Sequence, residues 1–256
     1  MNRITRTMLA TALLGLSAST SALAQIPGMP LFTNPRYGTG IRVHADFGQA
    51  TEATVADRVV QGGVSLALGP VGLNAMVGML KDNLSETQLC IDNPTLGCED
   101  NSVSAALLAQ IRVAGGGSSN MSLSLFGGAS ADFSARDLDC ATLPAADQPG
   151  CQLIQAQYST AAKEVNIPVG VAVGLRIPLG VASLNLWGAP RYNLTRYTDC
   201  GGTCPAGDEQ FRWAVGADFP ILRVLSIRAA YDSGKIGNET VSFWGLGASL
   251  GLGGMR

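Results

Sequence analysis

Large apolar residues alternate with small or polar ones along most of this chain. From Asn166 to Pro178, isoleucine, valine or leucine fills every second position, and proline, glycine, alanine and Arg176 stand between them. A helix would scatter the two sets around its axis, whereas a β-strand places them on opposite faces. The alternation therefore predicts a strand with one apolar face and one face of small and charged residues.

The same alternation predicts ten strands. They cover roughly 37–48, 59–68, 71–82, 103–114, 121–134, 167–177, 181–196, 210–219, 225–232 and 240–252. Most are about ten residues long, the length that a tilted strand needs to cross a bilayer. Short connectors at 68–70, 115–120, 178–180 and 220–224 alternate with longer ones at 49–58, 83–102, 135–166, 197–209 and 233–239. The chain therefore predicts an up-and-down meander, with short turns at one end and long loops at the other.

Alternation alone does not say which face meets solvent, because a soluble barrel turns its apolar face inward and a membrane barrel turns it toward lipid. Three features favour the membrane arrangement. Glycine is frequent on the small face, as a narrow lumen requires. The charges on that face are mostly arginine and aspartate, which pair well. Aromatic residues of the apolar face gather near the long loops, as interfacial girdles do; they are Phe47, Phe133, Tyr192, Phe211, Trp213, Tyr231 and Trp244.

We therefore predict an all-β protein, a closed antiparallel up-and-down transmembrane β-barrel of about ten strands, with eight as the alternative count. Closure is expected because lipid offers no hydrogen-bond partner to a free strand edge. A soluble β-sandwich or a lipocalin-like barrel, with the apolar face inward, is the competing interpretation.

The amino-terminal residues predict export. A basic start, MNRITR, precedes a short apolar run and the residues ALA, a layout typical of a signal peptide cleaved after Ala24. We assign residues 1–24 to the signal peptide, 25–36 to a periplasmic segment, 37–252 to an outer-membrane barrel and 253–256 to a carboxy-terminal tail. Without a basic block, and with a net charge of −2, the chain is not expected to bind nucleic acid.

From Tyr37 to Leu252 the chain resembles a small bacterial outer-membrane β-barrel protein of the opacity-protein or OmpW-like superfamily. The resemblance is carried by the signal peptide, the alternating strands and the last strand, TVSFWGLGASLGL. It implies residence in the outer membrane of a Gram-negative bacterium, contact with lipid and lipopolysaccharide, and insertion by the barrel-assembly machinery. The chain departs from the family in its ten segments, where eight are commoner, and in its end, GLGGMR, which lacks a terminal aromatic residue.

Six cysteines lie in the longer connectors. Proximity pairs Cys90 with Cys98, Cys140 with Cys151, and Cys200 with Cys204. Disulfides are expected because an exported chain meets an oxidising compartment, although six cysteines allow other connectivities. The alternative for CGGTC is half of a zinc site, but no histidine lies near it, so we expect no metal and no cofactor.

Charged residues of the small face predict an ionic network in the lumen. Its members are Arg42, His44, Asp46, Arg112, Asp132, Arg176, Arg191, Arg212, Asp218, Arg228 and Asp232. Enclosed charges require partners, and Arg176 is predicted to pair with Asp218. A ten-strand barrel is only slightly wider than the eight-strand kind that side chains fill, so the network is expected to close the lumen.

Three functions are open. The favoured one is a structural or surface-interaction barrel with disulfide-clipped extracellular loops. The second is a narrow porin-like channel or a transporter of small solutes, including apolar ones that leave sideways near Pro190, with Trp187 facing the lumen. The third is an enzyme in which His44 and Asp46 activate water or a serine. We expect no catalysis and no catalytic residue, because the sequence shows no nucleophile motif beside His44.

Overall fold

Ten antiparallel strands form one closed barrel in a computed structural model. The structure describes residues 29–35, 40–51, 56–82, 88–94, 96, 98, 101–116, 119–132, 140–152, 163–180, 182–198, 209–222, 224–236 and 239–252. The strands are β1 (Gly40–Ala50), β2 (Ala56–Leu68), β3 (Val71–Asp82), β4 (Asn101–Gly115), β5 (Met121–Asp132), β6 (Lys163–Leu179), β7 (Ala182–Thr198), β8 (Glu209–Pro220), β9 (Leu225–Ile236) and β10 (Glu239–Leu252). Each strand pairs with its neighbours in sequence, and β1 closes the barrel on β10. The predicted fold and the count of ten are confirmed.

In the part of the chain that the structure describes, helical structure lies only in the connectors. Helix α1 covers Gln88–Asp92, a short 3₁₀ helix covers Cys140–Thr142, and residues 148–152 form a further helical turn. Among the described residues, no helix has the length and apolar character needed to cross a bilayer.

The outer surface of the barrel is apolar, as the alternation predicted. On β6, Val169, Val173 and Leu175 are 54%, 43% and 43% exposed, whereas Ala172 between them is fully buried. The other strands repeat this arrangement, with Val60, Val64, Val77, Met79, Leu107, Ile111, Leu125, Phe211, Val215 and Leu246 exposed. A soluble protein rarely exposes so extended an apolar surface.

Aromatic residues form pairs on this outer surface. Ring centroids lie 5.8 Å apart for Phe47 and Trp244, 5.5 Å for Tyr192 and Phe211, and 5.7 Å for Trp213 and Tyr231. These are ordinary distances for edge-on and tilted aromatic contacts. The predicted girdle is confirmed for these residues, while Phe133 lies outside the described residues.

The predicted contrast between short and long connectors holds only in part. Connectors 83–100, 133–162 and 199–208 are long and leave the same end of the barrel, here called the long-loop end. At that end, however, β9 and β10 remain paired up to Ile236 and Glu239, so residues 237–238 alone connect them. The prediction of a longer loop at 233–239 is wrong, because polar residues there continue the strands without an apolar pattern.

The opposite end, here called the short-turn end, carries tight connections. Residues 69–70 join β2 to β3, and residues 180–181 join β6 to β7. Gly69 and Gly180 have φ angles of 61° and 69°, which side-chain-bearing residues adopt at a cost. Both glycines are therefore required by the turns themselves.

Residues 29–35, which precede β1, lie inside the barrel. Met29, Leu31 and Thr33 are 1%, 4% and 1% exposed, and Leu31 packs with lumen residues of the strands. The expectation of a periplasmic segment at 25–36 therefore does not hold for residues 29–35. Their contacts are with residues distant in sequence, which strand periodicity cannot predict.

Candidate functional site

Residues 29–35, here called the plug segment, are attached to the lumen wall by polar contacts along their length. The backbone N–H of Leu31 donates to Asp232 Oδ2 at 3.2 Å, and the Asn34 side-chain amide donates to Asp218 Oδ2 at 2.6 Å. Between them, the Arg228 guanidinium lies 4.5 Å from the ring centroid of Phe32, a cation–π contact. Strand carboxylates and an arginine thus fix the segment in the lumen.

Lumen glycines accommodate the bulkier groups of the interior. A Cβ on Gly174 would lie 2.6 Å from Cγ of Pro35, and a Cβ on Gly245 would lie 2.6 Å from Cγ of Pro30. In the same way the rings of His44 and Trp187 lie against Gly63 and Gly216, the Arg212 side chain lies against Gly234, and the Asp46 carboxylate lies against Gly247. The glycine-rich face identified in the sequence therefore corresponds to positions at which a side chain would collide with lumen contents.

One ionic cluster lies toward the long-loop end and is here called the upper cluster; it consists of Arg191, Arg212 and Asp232. Arg191 Nη2 donates to Asp232 Oδ2 at 2.8 Å, and Arg212 donates to Oδ1 through Nε at 3.1 Å and Nη2 at 2.9 Å. All three side chains are 0% exposed. Arg212 also lies over the Phe243 ring at 5.6 Å. Such charge-assisted contacts are strong, and the cluster is sealed from water.

A second cluster lies nearer the short-turn end and is here called the lower cluster; it consists of His44, Asp46, Gln61 and Arg228. Arg228 donates to both carboxylate oxygens of Asp46, through Nε at 2.6 Å and through Nη2. Gln61 Nε2 donates to Asp46 Oδ2 at 2.9 Å. Asp46 is 0% exposed, whereas the Arg228 side chain is 13% exposed. The lower cluster therefore retains some access to water.

His44 contributes one ring nitrogen to this cluster. Its Nδ1 lies 2.8 Å from Arg228 Nη2 and 3.1 Å from Asp46 Oδ2. A guanidinium can only donate and a carboxylate can only accept, so Nδ1 accepts from Arg228 in one tautomer and donates to Asp46 in the other. Across β1 and β10, His44 is opposite Ser249, whose hydroxyl is 2.7 Å from that of Ser226. His44 therefore lies against both charged members of the lower cluster.

A cavity of about 80 Å³ adjoins the lower cluster toward the short-turn end. Arg42, His44, Asp218 and Arg228 supply its ionisable groups, and Asn34 of the plug segment forms part of its wall. Its size is sufficient for a few water molecules. Arg42 and Asp218, both predicted members of the lumen network, are thus brought together here with the lower cluster.

Two predicted members of the network, Arg176 and Arg112, lie elsewhere. Arg176 is exposed at the short-turn rim and does not pair with Asp218, so that predicted pair is wrong. Asn185 lies between them in the sheet, paired with Arg176 on one side and with Asp218 on the other. Arg112 donates to the Gly69 carbonyl oxygen at 2.9 Å and braces a turn. The side chain of Asp132 lies outside the described residues.

The lumen also contains an apolar cluster that charge-based reasoning missed. Leu31 packs with Leu108, Phe126 and Trp187, which are 3%, 4% and 5% exposed. The predicted lumen position of Trp187 is confirmed. The alternation of β5 puts Phe126 on the small face, and its contact with Leu31 shows what an apolar side chain does there.

The long loops are clipped as predicted at two of three places. Disulfides join Cys90 to Cys98 and Cys140 to Cys151, while Cys200 and Cys204 lie outside the described residues. The two bridges pack together with Leu96 and Leu143 in one buried cluster. The connectors between β3 and β4 and between β5 and β6 are therefore joined by apolar contact, rather than standing apart as separate hairpins.

A closed antiparallel barrel with an apolar, aromatic-bordered exterior is the architecture of outer-membrane β-barrels. Solved structures similar to this chain include the amino-terminal β-barrel domain of Pseudomonas aeruginosa OprF (9% identity, 84% of this chain and 100% of that chain, TM-score 0.36). The β domain of the Bordetella autotransporter BrkA is 10% identical, over 83% of this chain and 98% of that chain, with a TM-score of 0.45. The Yersinia pestis outer-membrane protein Ail in a phospholipid nanodisc is 10% identical, over 84% of this chain and 100% of that chain, with a TM-score of 0.36. No protein-family model and no curated protein sequence matches the chain.

Proposed function

We propose that this chain is an integral outer-membrane barrel with a closed lumen, which anchors a disulfide-clipped loop platform at the cell surface for interaction. The observation that carries the proposal is the plug segment. Leu31 and Asn34 are hydrogen-bonded to Asp232 and Asp218 inside the barrel, and the two Arg–Asp clusters lie beside them in the lumen. A lumen filled in this way favours an anchoring role over conduction.

The outer surface supports the proposed location. Apolar side chains cover the barrel wall, and aromatic pairs border it toward the long loops. In water such a surface would drive association, whereas in a bilayer it meets acyl chains. Lipid and lipopolysaccharide are therefore the proposed surroundings, and the barrel-assembly machinery is the proposed route of insertion.

The loop cluster supports the surface-interaction role. The two disulfides, Leu96 and Leu143 hold two connectors of the same barrel end in one unit. A preordered surface loses less conformational entropy on binding than free loops do. The partner we propose is accordingly a macromolecule that contacts the long-loop end and not a solute that passes through.

Two measurements test this proposal. Membrane fractionation with heat-modifiable gel migration is expected to place the folded chain in the outer membrane. Planar-bilayer recording of the purified full-length chain is expected to give no discrete conductance steps. Recovery as a soluble periplasmic protein contradicts the location, and steady conductance contradicts the closed lumen.

Lateral transport is the second candidate, favoured by an interruption in the sheet. Pairing of β6 with β7 passes from Gly170–Arg191 to Val173–Gly188, so the ladder is interrupted where Pro190 lies. Proline cannot donate to the ladder, which makes this the weakest seam between those strands. Substitution of Pro190 by valine is expected to close the seam, and uptake of an apolar solute that falls on this change would favour transport.

A further inference from the structure

The plug segment occupies the lumen as a bound peptide occupies a groove. We propose that the lumen is a peptide-binding site which residues 29–35 fill in cis, and that a peptide of this sequence binds there in trans when the chain lacks it. The ligand class is a short apolar peptide with prolines at its two ends. The inference rests on the proposed closed lumen and identifies what closes it.

The acceptors of the site are fixed by the barrel itself. Asp232, which accepts the backbone N–H of Leu31, is held by two arginines of β7 and β8. Asp218, which accepts from Asn34, belongs to β8. Because strand residues hold the upper carboxylate in place, little reorganisation is needed when the peptide docks.

Shape complementarity sets the register of the segment. Pro30 fits against Gly245 and Pro35 fits against Gly174, so closely that a Cβ added to either glycine would lie 2.6 Å from the proline Cγ. Proline has no backbone N–H, so neither residue brings an unmatched donor into the lumen. Two glycine sockets, which receive residues five positions apart along the peptide, therefore select for proline at both places.

The barrel wall does not depend on the segment for closure. Strand β1 pairs with β10 over ten residue pairs, from Ile41–Leu252 to Ala50–Phe243. Besides the apolar residues that contact the segment, the wall contains buried polar ones, Ser104, Ser122, Ser124 and Thr195. The hydroxyl groups of Ser104 and Ser122 have no hydrogen-bond partner among the described residues. Such a wall tolerates water, so a chain without the segment is expected to fold with a hydrated lumen.

The test uses a variant that lacks residues 29–35, checked for folding by heat-modifiable migration. The probe is a synthetic peptide of residues 28–36, labelled at its carboxy terminus because Pro35 lies toward the short-turn end. Fluorescence anisotropy is expected to show saturable binding to the deletion variant, about tenfold or more tighter than to the full-length chain, whose site is occupied.

Two glycine substitutions in the deletion background locate the binding site. Gly174→Val fills the Pro35 socket and is expected to weaken peptide binding about tenfold or more. Gly188→Val is the matched control, because a Cβ there has no closer neighbour than the Ala214 carbonyl oxygen at 4.0 Å. Absence of saturable binding to the folded deletion variant, or equal binding to both substituted forms, would overturn the site.

Full-length Gly174→Val keeps the inference testable if the deletion variant does not fold. Displacement of Pro35 is expected to expose the plug segment, so chymotrypsin should cleave after Phe32 faster than in Gly188→Val. Equal protection of the two variants would overturn the proposal. Planar-bilayer recording separates the peptide site from the closed lumen on which it rests. If the full-length chain shows no conductance and the deletion variant binds no peptide, the peptide site alone is contradicted. If the full-length chain conducts, the closed lumen itself is contradicted.

Discussion

The upper and lower clusters each centre on an aspartate that accepts from arginine on the lumen face of the barrel, yet they differ in the number of arginines and in access to water. In the upper cluster two arginines share the carboxylate of Asp232, and none of the three side chains is exposed. In the lower cluster Asp46 meets one arginine together with Gln61 and His44, and Arg228 is 13% exposed beside a cavity. The comparison indicates that the upper cluster is a structural seal, whereas the lower one lies near a water-accessible mouth.

Loss of Asp232 is expected to have the largest effect on the barrel. Asp232→Ala leaves Arg191 and Arg212 buried without their carboxylate and removes the acceptor of the Leu31 N–H. Breaking a buried ion pair from one side costs about 3–5 kcal/mol. Urea unfolding in micelles, followed by heat-modifiable migration, measures the change.

An apolar replacement of the whole upper cluster controls this prediction. Arg191→Leu, Arg212→Leu and Asp232→Leu together remove all three charges, and we expect much of the lost stability to return. A loss below about 1 kcal/mol for Asp232→Ala alone would show that the upper cluster is hydrated, and would remove the contrast with the lower one.

Loss of Asp46 is expected to have a smaller effect. In Asp46→Ala the Arg228 guanidinium can be solvated from the adjoining cavity, so about 1–3 kcal/mol of unfolding free energy should be lost. The same urea titration measures it. A loss equal to that of Asp232→Ala would mean that both ends of the lumen are equally sealed.

Loss of His44 should matter less again, at about 1 kcal/mol or below, because Arg228 and Gln61 still satisfy Asp46. Unchanged lipid or peptide turnover in purified His44→Ala is expected alongside, since we propose a structural role for this residue. Loss of a measurable turnover in this variant, with folding intact, would instead support the enzyme hypothesis.

The smallest effect on the barrel is expected from the loop disulfides. Replacement of Cys140 and Cys151 by serine removes the disulfide of the connector between β5 and β6. The free energy that holds this loop in its folded form should fall by about 2–3 kcal/mol. Proteolysis of the loop is expected to accelerate while the urea midpoint of the barrel stays constant. A shifted midpoint would mean that the upper cluster depends on the loops to exclude water.

The sequence predicts the barrel wall well because the wall depends on local alternation. In β6 each residue's face follows from its neighbours two positions away, and Val169, Val173 and Leu175 point outward as predicted. The same alternation correctly placed Arg191, Arg212, Asp232, Asp46 and Arg228 in the lumen. Which arginine pairs with which aspartate depends on the register and tilt of the strands. The order of the strands along the sequence does not predict these pairs.

The lumen contents were beyond the reach of periodicity. Leu31 and Asp232 are 201 positions apart, and no repeating pattern marks residues 29–35. The error over Arg176 has the same origin, because Asn34 of the plug segment takes the place beside Asp218 that the arginine was expected to fill. The excess of lumen glycine was the available signal, because Gly174 and Gly245 leave the space that Pro35 and Pro30 occupy.

The most direct test of an outward apolar face and a filled lumen uses the chain's three tryptophans. Trp213 and Trp244 are 40% and 36% exposed on the barrel exterior, whereas Trp187 is 5% exposed in the lumen. Single-tryptophan forms, made by phenylalanine substitution of the other two, are reconstituted in bilayers of lipid brominated on the acyl chains. The structure predicts strong quenching of Trp213 and Trp244 and little quenching of Trp187 by either brominated lipid or aqueous acrylamide. Quenching of Trp187 by brominated lipid, with Trp213 and Trp244 unaffected, would mean that the apolar face points into the lumen, and would contradict the outward orientation.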